Sequence, residues 1–233
     1  MENKYSHKSP KTMTKATFEG WDRDDVERTF DIEYHHKFPL LEGWIAANHP
    51  VSERERETIA DLQEDLFRTI DSWNEDELKF KFIAPFVSLV RFDTKYTSVF
   101  TQRTLSATVK GIELSGRVDF VVATGKSKPL APFFFLHEYK RTFAPDSDPL
   151  AQLLVEMLAA RELNETAQLN ETVHPFYGCY VIGRFWYFVV LQGREYAQSL
   201  AFDATQSTDI ISILSILKEA NTRLAAWAES LHR

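Results

Sequence analysis

The feature that most constrains this chain is the run FFFL at 133–136, which leads directly into His137, Glu138, Tyr139 and Lys140. It is apolar on both faces, as expected of a buried central strand in an α/β protein. Successive strand side chains point to opposite faces, so Glu138 and Lys140 project from the same one, roughly 6–7 Å apart along the backbone. Two charges at the end of such a strand are costly to bury unless they pair or bind a metal. The preceding strand-like segment, GRVDFVV, carries a lone acid. Strict alternation sets Val118, Phe120 and Val122 on one face and Arg117, Asp119 and Val121 on the other. A neighbouring strand in the right register brings Asp119 beside Glu138. Two adjacent carboxylates repel and call for a cation between them, and oxygen ligands suit Mg²⁺ or Mn²⁺. Taken alone, the E-x-K spacing reads equally well as a surface ion pair at a strand end.

The rest of the composition sets the frame. The 233 residues are 44% apolar, with 18 Phe, 8 Tyr and 5 Trp, enough for one well-packed domain. A single cysteine, Cys179, leaves no disulfide framework and fits a reducing compartment, so the cytoplasm is the expected location. No segment has the roughly 18 uninterrupted apolar residues of a membrane helix. The net charge of −7 argues against an extended basic surface for tight non-specific nucleic-acid binding.

Along the chain, residues 1–15 carry four lysines against Glu2 and read as a disordered cationic tail, followed by one domain over 16–233. Within it, 16–73 reads as a helical N-terminal extension, 74–190 as the core, and 191–233 as a terminal strand and helix. Ser52 and Glu55 resemble a capping box that opens a helix to about residue 72. A second helix starts at Asn74, with Pro85 expected to kink or divide it. From Tyr96 the period changes to that of three successive strands. Asp148 and Pro149 then start a helix to about Leu163, with Leu150, Leu153, Leu154, Met157 and Leu158 on its apolar face. Two strands joined around Gly183 and Arg184, a short strand within 196–204, and a helix from Thr208 or Asp209 to about Leu231 complete the pattern.

An acid on one strand (GRVDFVV), an apolar strand ending in E-x-K (FFFLHEYK) and a following helix with an early glutamine (DPLAQLLVEM) resemble, in that order, the PD-(D/E)XK nuclease superfamily. The likeness is greatest to its type I restriction-subunit N-terminal and RecB-like branches. It spans roughly residues 74–190, and NEDELKFKFIAPFV resembles the initial helix of those families. The resemblance implies a restriction-endonuclease-like αβββαβ core, a central mixed sheet flanked by helices. It implies Asp119 and Glu138 as metal ligands, Lys140 as the catalytic lysine and Gln152 as a positioning residue. Glu77 is the best match for the acid of the initial helix that approaches the metal, and so a third metal ligand, followed by Glu75. No proline precedes Asp119, and on a helical projection Gln152 lies beside Glu156, nearly opposite the apolar stripe. The activity implied is Mg²⁺- or Mn²⁺-dependent hydrolysis of DNA in a restriction or defence setting. A homodimer or a separate specificity or motor protein would supply target choice. The alternatives are a catalytically inactive module of this fold that binds nucleic acid or a protein, and an interaction protein that assembles through its aromatic N-terminal extension.

Other motifs carry less. Gly125-Lys126-Ser127 lacks the earlier glycine of a phosphate-binding loop, since Phe120 stands at that position. His35, His36 and His49 have no partners at ligand spacing, and His137 alternates away from Glu138. The aromatic residues Tyr177, Tyr180, Phe185, Trp186, Tyr187 and Phe188 read as core packing of a hairpin more readily than as a base-stacking platform. Lys110, Arg117, Lys126, Lys128 and Arg141 are either a phosphate path or solvated strand ends.

Overall fold

The computed structural model describes residues 14–140, 148–167 and 174–231, with backbone alone for Pro132 and 134–138. Most of the expected tail, and Arg141, therefore lie outside the described residues. The last two tail positions do not continue it: Thr14–Thr17 form a first strand, β1. There follow α1 (Arg23–Phe30), β2 (Glu33–Tyr34), α2 (Pro39–Ile45) and α3 (Glu53–Thr69). Next come α4 (Glu75–Leu78), a π-helical segment (Lys79–Ile83) and α5 (Ala84–Ser88). The strands β3 (Ser98–Val109), β4 (Ile112–Thr124) and β5 (Leu130–Lys140) lead to α6 (Pro149–Thr166). The chain closes with β6 (Phe176–Ile182), β7 (Phe185–Gln192), β8 (Glu195–Gln198), β9 (Phe202–Asp203) and α7 (Ser207–Ser230). No helix among the described residues is long and apolar enough to cross a membrane.

The strands form one mixed sheet in the order β1-β4-β5-β6-β7-β8-β2, with β3 also on β4 and β9 on β7. Pairing is parallel for β1/β4, β5/β6 and β2/β8 and antiparallel elsewhere. The N-terminal segment is thus more than a helical extension, because it places a strand at each end of this order. Those strands gain backbone partners there that short helices alone would not need. One face of the sheet packs under α2, α3, α4, α5 and α7 around Trp44, Phe82, Phe86, Trp186 and Phe188. The other packs under α1 and α6 around Phe18, Leu114, Val121, Leu154 and Tyr196. Buried Trp186 and Phe188, with Tyr177 and Tyr180, are core residues.

Helix starts follow the sequence closely. Ser52 and Asn74 both form full capping boxes, with Glu55 and Glu77 respectively reaching back to the cap N–H, and Asp148 caps α6 through the Ala151 N–H. Pro85 does not divide its helix. The turn before it widens into the π segment, where the Ala84 N–H donates to the Lys79 carbonyl. Opening the turn there accommodates a ring that would clash in a regular α-helix. The helix α6 is more deeply placed than a single apolar face predicts. It is buried on every side from Pro149 to Ala160, because it lies between the sheet and α1.

Two polar contacts fix the layers. Between β4 and β5 the register slips at Val122/Ala123 and Ala123/Thr124. At that irregularity the fully buried Asn164 of α6 accepts from the Phe133 N–H at 2.7 Å and donates to the Phe133 carbonyl at 2.8 Å. A side-chain amide there replaces two ladder bonds that a bulge removes. Asn164→Leu leaves both backbone groups buried without a partner and is expected to cost about 2–4 kcal/mol in a urea unfolding experiment.

At the start of α3, the Glu55 carboxylate accepts from the Ser52 N–H at 2.8 Å and pairs with Lys218 of α7, also at 2.8 Å. Burial acts to raise its pKa, but the Lys218 and Ser52 bonds outweigh it and hold the group at about 2 against 4.5. A depressed carboxylate stabilises the fold above its unfolded pKa and loses that contribution as pH falls through the folded value. Glu55→Gln should therefore lower the melting temperature at pH 6 distinctly more than at pH 2.5.

Candidate active site

The site is built on β4. One edge of this strand pairs with β3 along almost its whole length. The other edge is divided, pairing with β1 over Ile112–Ser115 and with β5 over Phe120–Thr124. Asp119 falls in the interval. Across from it on β3, Gln102 adopts a left-handed conformation, φ 53°, which is uncommon for a non-glycine residue. The inside–outside alternation breaks at this point on both strands. Leu114, Val118 and Val121 belong to one core and Phe120 and Val122 to the other, while on β3 Phe100 and Leu105 share a core despite opposite parity. The expected common face for Val118, Phe120 and Val122 is corrected accordingly. The break lets Asp119 and Phe120 line the same cavity.

The β4/β5 ladder ends at Phe120↔His137, one residue short of Asp119 and Glu138, the two acids expected side by side from the sequence. There the ladder gives way to a side chain, as Asp119 Oδ2 accepts from the Tyr139 N–H at 3.1 Å. The other oxygen, Oδ1, accepts from Gln102 Nε2 and from Lys79 Nζ, the latter at 3.0 Å. Lys79 also donates to Glu75 Oε1 at 2.6 Å and lies 5.6 Å from the centre of the Tyr139 ring. Burial by itself pulls the Lys79 pKa down. The hydrogen bond that Lys79 donates to Glu75 and the charge of Asp119 outweigh it, so the amine is held above its ordinary value and stays charged.

Lys140 lines the cavity from the end of β5, and Gln152 reaches it from the first turns of α6, donating to Glu156 at 3.1 Å. The edge of α6 that carries Gln152 thus does face the site. Asp119, Lys140 and Gln152 come together. Glu138 sits in β5 by its backbone, paired with Tyr180 of β6, and its side chain is outside the description. Glu77 is engaged elsewhere, in the Asn74 capping box and with Lys81 at 2.8 Å. The acid of this helix tied to Asp119 is Glu75, through Lys79. Three further residues were not singled out from sequence. Lys79 stands at the i, i+4 spacing from Glu75 that forms helical ion pairs, and that signal was available. Gln102 and Arg91 carry none, since both owe their place to left-handed backbone.

The cavity encloses about 960 Å³. One wall is apolar (Ile83, Ala84, Val87, Phe92, Val99), and the charged lining includes Arg91, Arg117 and Lys140 beside Asp119. Phe80, 80% exposed, stands at its margin because the π segment turns it outward while Phe82 and Ile83 are buried. His35 and His49 pair with Glu195 and Glu219. The Gly125 segment is a turn, its glycine at φ 97° with a carbonyl 2.3 Å from where a Cβ would stand.

Among the described residues, no three His, Cys, Asp or Glu side chains gather into a set able to hold a metal, a count that leaves out the Glu138 side chain. Asp119 and Glu75 nonetheless share one cation, the Lys79 ammonium. The described side chains thus place two carboxylates, fewer than such a set, on one positive centre. Arg91, at φ 58° just after α5, is a second strained position on the wall. Arg91→Gly should raise stability by roughly 0.5–1 kcal/mol in denaturant titration, since glycine adopts this conformation without strain.

No protein-family model matches the chain, and no curated protein matches it.

Proposed function

We propose that this chain is a metal-dependent nuclease that hydrolyses phosphodiester bonds in DNA, with the PD-(D/E)XK resemblance as the guide to its roles. The observation that carries this reading is the meeting of Asp119, Lys140 and Gln152, from three separate elements, on one cavity beside the divided edge of β4. In it, Asp119 would hold the ion, with Glu138 beside it on β5 and Glu75 reaching from α4. Glu75 takes the part that the sequence assigns first to Glu77. A bound Mg²⁺ or Mn²⁺ supplies Lewis acidity toward a phosphate oxygen and a more acidic water. Lys140 places positive charge where the scissile phosphate enters and orients the attacking water. Gln152, anchored on Glu156, positions the phosphate or the water through its amide. Arg91 and Arg117 attract the neighbouring phosphates from a cavity lined by charges of both signs. A homodimer or a separate specificity or motor protein would supply target choice.

A second reading is favoured by one observation: both oxygens of Asp119 are engaged within the chain, by Lys79, Gln102 and the Tyr139 N–H. In that reading the fold is kept as a catalytically inactive module that binds nucleic acid or a protein. Purified protein incubated with plasmid, linear and single-stranded DNA in Mg²⁺ or Mn²⁺ separates the two. The nuclease reading expects cleavage that falls roughly 10²–10³-fold in Asp119→Asn and in Lys140→Ala, the scale on which preorganised charge contributes. Wild-type protein that cuts none of these substrates with either ion, yet retains DNA in a gel-shift experiment, would favour the inactive module.

A further inference from the structure

Of the basic residues that line the cavity among the described residues, Lys79 is the one that the nuclease reading leaves without a role, although it is held by two carboxylates. Its side chain is 20% exposed and that of Asp119 12%, so the pair is shielded from water as most surface ion pairs are not. The ammonium stands 2.6 Å from Glu75 and 3.0 Å from Asp119. It thus fills the point between two carboxylates that a small oxygen-seeking ion would take. Two positive centres cannot share that point, because like charges at such separations repel by several kcal/mol even at a moderate effective dielectric. Lys79 is also placed to leave it. It is the first residue of the π segment, its stem lines the cavity, and the space beside it is open.

We infer that Lys79 is a counter-ion built into the chain, holding Glu75 and Asp119 together until a divalent cation displaces it and turns its ammonium into the cavity. The inference rests on the metal-dependent reading of the site. It gives the loaded site an additional positive group facing the substrate phosphates. It also means that the chain tolerates two close, half-buried carboxylates without metal, at the cost of weaker metal affinity.

Two measurements on the 233-residue chain test this. Binding of Mn²⁺, followed by loss of the electron paramagnetic resonance signal of the free ion, is compared among wild type, Lys79→Met and Lys79→Met/Asp119→Asn. Removing the competitor is expected to tighten binding about tenfold, equivalent to about 1.4 kcal/mol, and the added Asp119→Asn change is expected to abolish the gain. The second uses wild type alone, so it holds even where Lys79→Met fails to fold. Acylation by acetic anhydride, read by mass spectrometry, should be several-fold faster at Lys79 with Mn²⁺ than without, while Lys81 is unchanged. Equal Mn²⁺ affinity in wild type and Lys79→Met, or acylation of Lys79 unchanged when Mn²⁺ is bound, overturns the inference and leaves the metal-dependent reading standing. Absence of Mn²⁺ binding in both proteins overturns that reading, and this inference with it.

Discussion

A strand has two hydrogen-bonding edges, and β4 has three neighbours. It meets them by giving one edge to β3 and dividing the other between β1 and β5. The interval between those two ladders must be closed by something other than backbone, since buried backbone groups are satisfied almost without exception. The side chain of Asp119 closes it by accepting the Tyr139 N–H. Gly116, close by on the same strand, admits the ring of Phe18 that follows β1, which a Cβ would meet at 2.5 Å. The divided edge therefore accounts together for the acid and the glycine.

The electrostatics of the site follow from that placement. A carboxylate at a gap in a sheet is largely shielded from water and needs compensation. It receives a backbone N–H, an amide and an ammonium. The ammonium comes from a helix widened by a π turn, which brings Lys79 to Asp119 while leaving Phe80 outside. Local irregularities thus cluster about one cavity: the left-handed Gln102 and Arg91, the π segment and the end of the β4/β5 ladder. Conformations of this kind persist where surrounding packing enforces them, and they concentrate at functional sites.

Much of this was legible in the residues. The capping boxes at Ser52 and Asn74, the three strands after Tyr96 and the start of α6 at Asp148 are local signals, each depending on a few neighbouring side chains. Asp119 and Glu138 were expected side by side from strand order, and the β4/β5 ladder ends one residue short of them, at Phe120 and His137. Other expectations met longer-range forces. Thr14–Thr17 and Glu33–Tyr34 are strands because the sheet offers them edges, and four- and two-residue segments carry too little pattern to announce that. Alternation through Val118 and Phe120 failed because Gln102, on another strand, interrupts both. Glu75, not Glu77, is joined to Asp119 through Lys79, while the Glu77 carboxylate bonds its own helix cap and Lys81.

The sequence by itself determined the element types and order from the capped helix at Ser52 onward, the doubly apolar central strand and most residues with chemistry to offer, because hydrophobic period, caps and turn residues act over a handful of positions. Tertiary structure decided which of those residues meet. The divided edge of β4, the all-round burial of α6 and the Lys79 bridge from Glu75 to Asp119 each join segments tens of residues apart. Their geometry comes from how the layers pack, a choice that no local spacing encodes.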